Sequence, residues 1–265
     1  MYEFTFQRPT SLDGAAKSFA GADDGKYLAG GMTLIPTMKQ RLAQPSDLID
    51  LGAIAELSGI RREGDELVIG ATTTHAQVAA SEEVRSAIPA LAELANHIGD
   101  PAVRARGTIG GSIANADPAA DYPAAVVGLG ATVQTNTRSI AADDFFTGLF
   151  ETALGDDELV TAVRFPVPSR AGYAKFPNPA SRYAVVGVLV SEGPGGTRVA
   201  VTGAGASVFR VADMEKALDG DFSAAAVEGI SVPATGLNSD IHASGEYRAH
   251  LVTVMAKRAV AAATA

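Results

Sequence analysis

The chain has 265 residues, 47% of them hydrophobic and 19% charged, which excludes a disordered chain and leaves length for about two domains. A net charge of −9 repels phosphate backbones, so nucleic acid is not an expected partner, and no apolar run reaches the roughly 18 residues that a membrane span needs. There are no cysteines, so disulfides, thiolate zinc sites and iron–sulfur clusters cannot be carried on this chain.

The opening residues, MYEFTFQRPTSLDG, lack a basic stretch followed by an apolar one, which makes the cytoplasm the expected location. EFTF alternates weakly as a strand, and Thr10 or Ser11 can cap a helix through about Phe19. Lys26 to Ala29 reads as a short buried strand running into Gly30-Gly31. A helix follows from Met32 to Leu42, then a strand over Asp47 to Leu51. The turn Arg62–Asp65 leads into a strand from Glu66 to Gly70. Thr74 and Ser81 each open a short helix, and Pro89 suits the first turn of a third that ends near His97. Periodicity stops from Gly99 to Pro123, so this stretch is expected as a long loop, and such loops are usually functional. A helix over Asp121–Leu129 and strands over Ala131–Thr135 and Leu159–Phe165 follow. The prolines of 166–179 mark the expected domain boundary. Beyond it, Tyr183–Val190 and Arg198–Thr202 form a hairpin, and Phe209–Leu218 and His250–Ala263 are helical.

Two segments carry chemistry. In Leu28-Ala29-Gly30-Gly31-Met32-Thr33 a strand ends, two glycines follow and a helix begins. Glycine lets an anion approach the backbone closely, and a helix start supplies free N–H groups. Arg106-Gly107-Thr108-Ile109-Gly110-Gly111-Ser112 repeats the pattern and can form a second nest of N–H donors. Two nests about 80 residues apart suggest one ligand with two phosphates; the spacing runs from Gly30 to Gly110. Asp117 and Asp121 follow at once and suit sugar hydroxyls. The near P-loop at Gly21–Lys26 is one residue short, and the Rossmann-like turn at Gly203–Val208 has valine in its third small position. Four histidines, His75, His97, His242 and His250, lack ligand spacing, so no metal site is expected.

Ala29 to Pro36, Gly70 to His75 and Ile98 to Ser112, in this order and spacing, resemble the FAD-binding (medium) subunit of molybdenum hydroxylases. The likeness extends to Lys175-Phe176 and Ser181–Ala184. It implies an α/β (α+β) fold: a two-subdomain FAD-binding domain of the vanillyl-alcohol-oxidase/PCMH type over residues 1–170, with subdomains of 1–55 and 56–170. A small C-terminal α/β domain with an antiparallel sheet would cover 171–265. It implies cofactor contacts from Ala29, Gly30, Gly31, Met32, Thr33 and Leu34 in a first pyrophosphate loop, and from Thr108, Ile109, Gly110, Gly111 and Ser112 in a second. Thr72 and Ile98 would line the pocket, Asp121 would meet FAD hydroxyls, and Val160 would lie beside the flavin or the adenine. Lys175 and Tyr183 would lie near the isoalloxazine. Met32 departs from the polar residue that many members carry there.

The resemblance further implies FAD on this chain, a molybdopterin-type cofactor on a large subunit and [2Fe–2S] clusters on a small subunit, assembled as a dimer of heterotrimers. FAD would pass electrons from the clusters to an external acceptor. A stand-alone FAD oxidoreductase, or a scaffold subunit that has lost FAD, remain as alternatives. The substrate and the acceptor stay open, because neither touches residues that this sequence identifies.

Overall fold

The computed structural model describes residues 1–265. The chain opens with β1 (Thr5–Gln7), α1 (Leu12–Ala20), β2 (Gly25–Leu28), α2 (Leu34–Lys39) and β3 (Asp47–Asp50). Ser11, in extended backbone, accepts the Gly14 N–H at 3.1 Å and so caps α1. The strands form a parallel sheet in the order β1-β3-β2. Parallel strands share one carboxyl end, and ligands of open α/β sheets bind beyond it. The chain leaves β2 at that end directly into Ala29–Thr33.

The middle of the chain begins with the antiparallel pair β4 (Ile60–Glu63) and β5 (Glu66–Gly70). Six short helices follow: α3 (His75–Ala80), α4 (Glu82–Ala87), α5 (Pro89–Asn96), α6 (Pro101–Arg106), α7 (Ile109–Asn115) and α8 (Tyr122–Gly128). Then come β6 (Thr132–Thr135), β7 (Ser139–Ala141), α9 (Ala142–Phe145), a small hairpin of β8 (Phe146–Gly148) and β9 (Glu151–Thr152), and β10 (Val160–Pro166). The antiparallel sheet runs β4-β5-β10-β6-β7. Its core includes Leu67, Leu91, Tyr122, Phe145 and Phe165, all fully buried. Each such side chain contributes about 1.5–3 kcal/mol by leaving water.

The third unit is an antiparallel sheet of β11 (Arg170–Pro177), β12 (Ala184–Gly193), β13 (Gly196–Thr202) and β14 (Phe209–Arg210), followed by α10 (Ala212–Gly220) and α11 (Gly245–Thr264). In β12, Val188 and Val190 join a core with α10 and α11, whereas Leu189 joins the core beneath α8. Both faces are covered, which explains why the strand reads as an unbroken apolar run, AVVGVLV. This unit therefore packs directly on the residues that follow the second glycine segment.

Three expectations need correction. The stretch Gly99–Pro123 is not one loop, because it holds α6 and α7. Asp100 caps α6 by accepting the N–H groups of Ala102 and Val103, and Thr108 caps α7 by accepting that of Gly111. Helices of six and seven residues are too short to show a 3.6-residue period, and in α7 two glycines lower the intrinsic propensity. The last helix starts at Gly245 and not at His250, with Ser244 as its cap, and Phe209–Arg210 is a strand so that α10 begins at Ala212.

Candidate functional site

A cleft of about 570 Å³ runs between the parallel sheet, the middle unit and the turn that joins β11 to β12. The Ala29–Thr33 turn lies in its lining. None of the backbone N–H groups of Ala29, Gly30, Gly31, Met32, Thr33 and Leu34 has an acceptor within the chain, and all six residues line the cleft. Consecutive free donors next to a helix start form a site for an anion, since each would otherwise need water. Gly31 turns the chain with φ of 72°, a backbone region that side chains disfavour.

The Thr108–Ser112 segment lies opposite and differs from its expectation. Four of its five N–H groups are already used: Ile109 donates to the Thr73 carbonyl, Gly110 to that of Ala71, Gly111 to Thr108 Oγ1 and Ser112 to the Thr108 carbonyl, while the Thr108 N–H has no acceptor within the chain. These hydrogen bonds hold the segment in place as one wall of the cleft. Within it Gly110 is buried against Ala71, where a Cβ would sit 2.5 Å from the alanine methyl. Gly111 faces the cleft and the Ala29 methyl. Ser112 and Asn115 continue the same lining.

One end of the cleft is apolar. Phe19 and Tyr27 stack there with ring centroids 4.7 Å apart, beside Leu51, Leu159 and Val160. Burial, with the nearby Asp157 charge, pushes the Tyr27 phenol up to about 12. Glu158 borders this end but is fully engaged: it accepts from Thr135, Thr137, Arg138 and the Gly155 N–H. The Arg138 hydrogen bond is the main reason that its carboxyl is held far below the usual range.

The other end is polar, with Ile98, Asp100, Asp117, Asp121 and Tyr183 around it. Asp121 is 5% exposed. Tyr173 donates to its Oδ1 at 2.5 Å, and the Lys175 ammonium lies 2.9 Å from Oδ1 and 3.0 Å from Oδ2. Burial raises the Asp121 carboxyl, while Lys175 and then Tyr173 oppose that rise. Burial also raises the Tyr183 phenol, helped by Asp117 and Asp121.

Of the residues expected at the site, Ala29, Gly30, Gly31, Met32, Thr33, Leu34, Thr72, Ile98, Thr108, Gly110, Gly111, Ser112, Asp121, Val160 and Tyr183 come together along the cleft. Ile109 does not, because its side chain is fully buried in the core beneath. Lys175 stands behind Asp121, with its ammonium committed to that carboxylate and to the His97 carbonyl. The sequence missed Phe19, Tyr27, Asn115 and His75. The first two sit on elements that it read correctly, so an aromatic residue facing another across α1 and β2 was the available signal. His75 lines the cleft 4% exposed, with Nδ1 unpaired, and burial with the Arg104 charge lowers its imidazole to about 4.

An elongated cleft with free backbone donors in its lining, an aromatic slot at one end and carboxylates at the other fits a dinucleotide: phosphates on the donors, a base in the slot, hydroxyl groups on the acids. FAD has these parts in this order. No group of three or more His, Asp or Glu side chains converges to hold a metal ion.

Comparison with known proteins places the chain among FAD-binding domains. Residues 2–168 match the family described as FAD binding domain in molybdopterin dehydrogenase. The chain is 36% identical to the nicotine 6-hydroxylase medium subunit of Paenarthrobacter nicotinovorans, over 98% of this chain and 97% of that one. It is 38% identical to the carbon monoxide dehydrogenase medium chain of Afipia carboxidovorans, over 99% and 97%. Among solved structures, carbon monoxide dehydrogenase from Hydrogenophaga pseudoflava superposes with a TM-score of 0.89 at 35% identity, covering 99% of this chain and 98% of that one.

Proposed function

Since the chain belongs to the family of FAD-binding domains in molybdopterin dehydrogenases and is an oxidoreductase subunit of that family, we propose that it is the flavin relay of a multi-subunit hydroxylase. The observation that carries this reading is the run of unpaired N–H groups from Ala29 to Leu34 in the lining of the cleft. These donors hold the pyrophosphate of FAD, and Gly111, Ser112 and Asn115 close over it from the opposite wall. The adenine occupies the Phe19–Tyr27 end beside Val160, and the isoalloxazine occupies the end bordered by Ile98, Asp121 and Tyr183. Met32 enters through its backbone, so the absent polar side chain leaves the loop's donors intact.

The flavin, when bound, accepts electrons singly and gives them up as a pair, while the protein orients it and sets its potential. In this reading a large subunit carries the molybdopterin-type cofactor and oxidises the substrate, and a small subunit carries the [2Fe–2S] clusters. This chain passes the electrons to an external acceptor. The absence of cysteine supports that division, because the clusters need thiolate ligands from another chain. A cytoplasmic dimer of heterotrimers is the assembly that we propose. No helix of the chain is long and apolar enough to cross a membrane. Residues 1–170 would act as the FAD-binding domain and 171–265 as the domain that braces its polar end.

Purification of the assembled enzyme tests this reading. The expected result is one FAD on this chain, reduced when substrate is added to the whole complex without oxygen and not when it is added to this chain alone. A flavoprotein that turns over a substrate by itself would replace the relay reading with that of a stand-alone oxidoreductase.

A further inference from the structure

The segment Asp117–Asp121, which borders the polar end of the cleft, is held by the C-terminal sheet. Thr202 donates its hydroxyl to the carbonyls of Pro118 at 3.0 Å and Ala120 at 2.6 Å. The Gly203 N–H donates to Pro118, and the Ala184 N–H donates to Ala119. Every carbonyl between the two aspartates is thus fixed by the sheet. The side chain of Asp121 is fixed by the same sheet, since Tyr173 and Lys175 are two residues apart on β11 and project from the same face. Tyr173 is 3% exposed and lies outside the cleft lining, so its hydroxyl meets Asp121 from behind.

We propose that Tyr173 is a positioning residue for the flavin end of the cleft: its hydroxyl, with the Lys175 ammonium, holds Asp121 as an aimed carboxylate acceptor for the cofactor's hydroxyl groups. This deepens the flavin reading above and rests on it. The carboxylate has four lone-pair sites; Tyr173 and Lys175 occupy those facing the sheet and leave acceptor capacity toward the cleft. An ionised carboxylate at 5% exposure survives only if it is paired and hydrogen-bonded. The charged and titratable groups around it are Lys175 and Tyr173 on β11, Tyr183 after that strand, His97 after α5, Tyr122 on α8 and Asp117 in the same segment. Only Lys175 and Tyr173 bond to the carboxylate itself. Burial already pushes this carboxyl upward, so losing either partner moves it toward protonation.

The test measures FAD affinity of the full-length apo chain between pH 6 and 9 for the wild type, Tyr173→Phe, Lys175→Gln and Thr202→Val, with urea unfolding to confirm that each is folded. Tyr173→Phe keeps the ring and its packing. Its expected effect is an affinity lower by about tenfold, near the lower end for a hydrogen bond to a charged group, with the deficit widening as pH falls because Asp121 is protonated more readily without the Tyr173 hydroxyl. Lys175→Gln is expected to shift in the same direction by more. Thr202→Val loosens the backbone without changing a charge, so its deficit is expected to be independent of pH. Tyr173→Phe binding like wild type at every pH, or with a deficit that does not change with pH, overturns the proposal. So does a Thr202→Val deficit that closes with pH in the same way. Failure of the wild type to bind FAD would instead sink the flavin reading on which it rests.

Discussion

Gly30 lies directly against the carbonyl of Arg106: a Cβ on Gly30 would stand 2.0 Å from that oxygen and 2.9 Å from Gly107 Cα. The turn after β2 and the turn before α7 therefore meet backbone to backbone, and the cleft is narrow because one residue has no side chain. Gly30→Ala is expected to push the two turns apart, lower stability by about 1–3 kcal/mol as overpacking does, and reduce the flavin content of the purified protein. Absorbance at the flavin band together with thermal unfolding checks both effects.

Gly110 and Gly111 are adjacent but separable. A valine at Gly110 meets the Ala71 methyl, carbonyl and Cα, so it is expected to destabilise the fold by about 1–3 kcal/mol and to lose FAD as a consequence. A valine at Gly111 meets Thr108 Oγ1 and enters the cleft, so Gly111→Val is expected to remain folded, at a cost near that of a weakened cap, about 1 kcal/mol, while losing FAD. Denaturant midpoints and FAD titration on the two variants distinguish fold loss from site loss.

Much of this site is legible in the sequence because its chemistry is local. Gly30-Gly31 at a strand end and the caps Ser11, Thr74 and Ser81 announce themselves over a few residues. What the sequence could not reveal is where donors go once the chain folds. The Thr108–Ser112 run has the composition of a nest, but four of its five N–H groups are taken by Ala71, Thr73 and Thr108. Nor could it pair Asp121 with Tyr173 and Lys175, which stand 52 and 54 positions away on a strand hidden between prolines. The early part of α7 is glycine-rich and too short for periodicity, so tertiary contacts with β5 and its following turn decide its conformation.

His75 makes the fold sensitive to mild acid. Its imidazole titrates at 6.5 in the unfolded chain and at about 4 in the folded one, so the unfolded chain takes up the proton first. The stabilising contribution is complete above about pH 6.5 and falls as pH drops toward 4, by as much as about 3 kcal/mol at 1.36 kcal/mol per pH unit. His75→Gln is expected to flatten this part of the stability profile, as read by urea unfolding between pH 7 and pH 4.5. A variant profile parallel to wild type would show that another group carries the slope.

Glu158 acts at lower pH. Its carboxyl is depressed in the folded chain relative to 4.5 in the unfolded one, mainly by Arg138, so it stabilises the fold above about pH 4.5 and loses that effect as pH falls further. It ties Gly155 to the Thr135–Arg138 turn at the apolar end of the cleft. Glu158→Gln is expected to cost about 1–3 kcal/mol at pH 7, the range for hydrogen bonds to a charged group, and to make unfolding less steep in acid. Chemical denaturation at pH 7 and pH 3.5 reads both.

The most direct measurement is titration of the apo full-length chain with FAD, followed by flavin absorbance and bound stoichiometry, alongside Gly30→Ala and Gly111→Val. The account expects one FAD per wild-type chain and a sharp loss of binding in both variants. A wild-type chain that binds no FAD, or variants that bind it as well as wild type, would contradict the placement of the pyrophosphate on the Ala29–Leu34 donors.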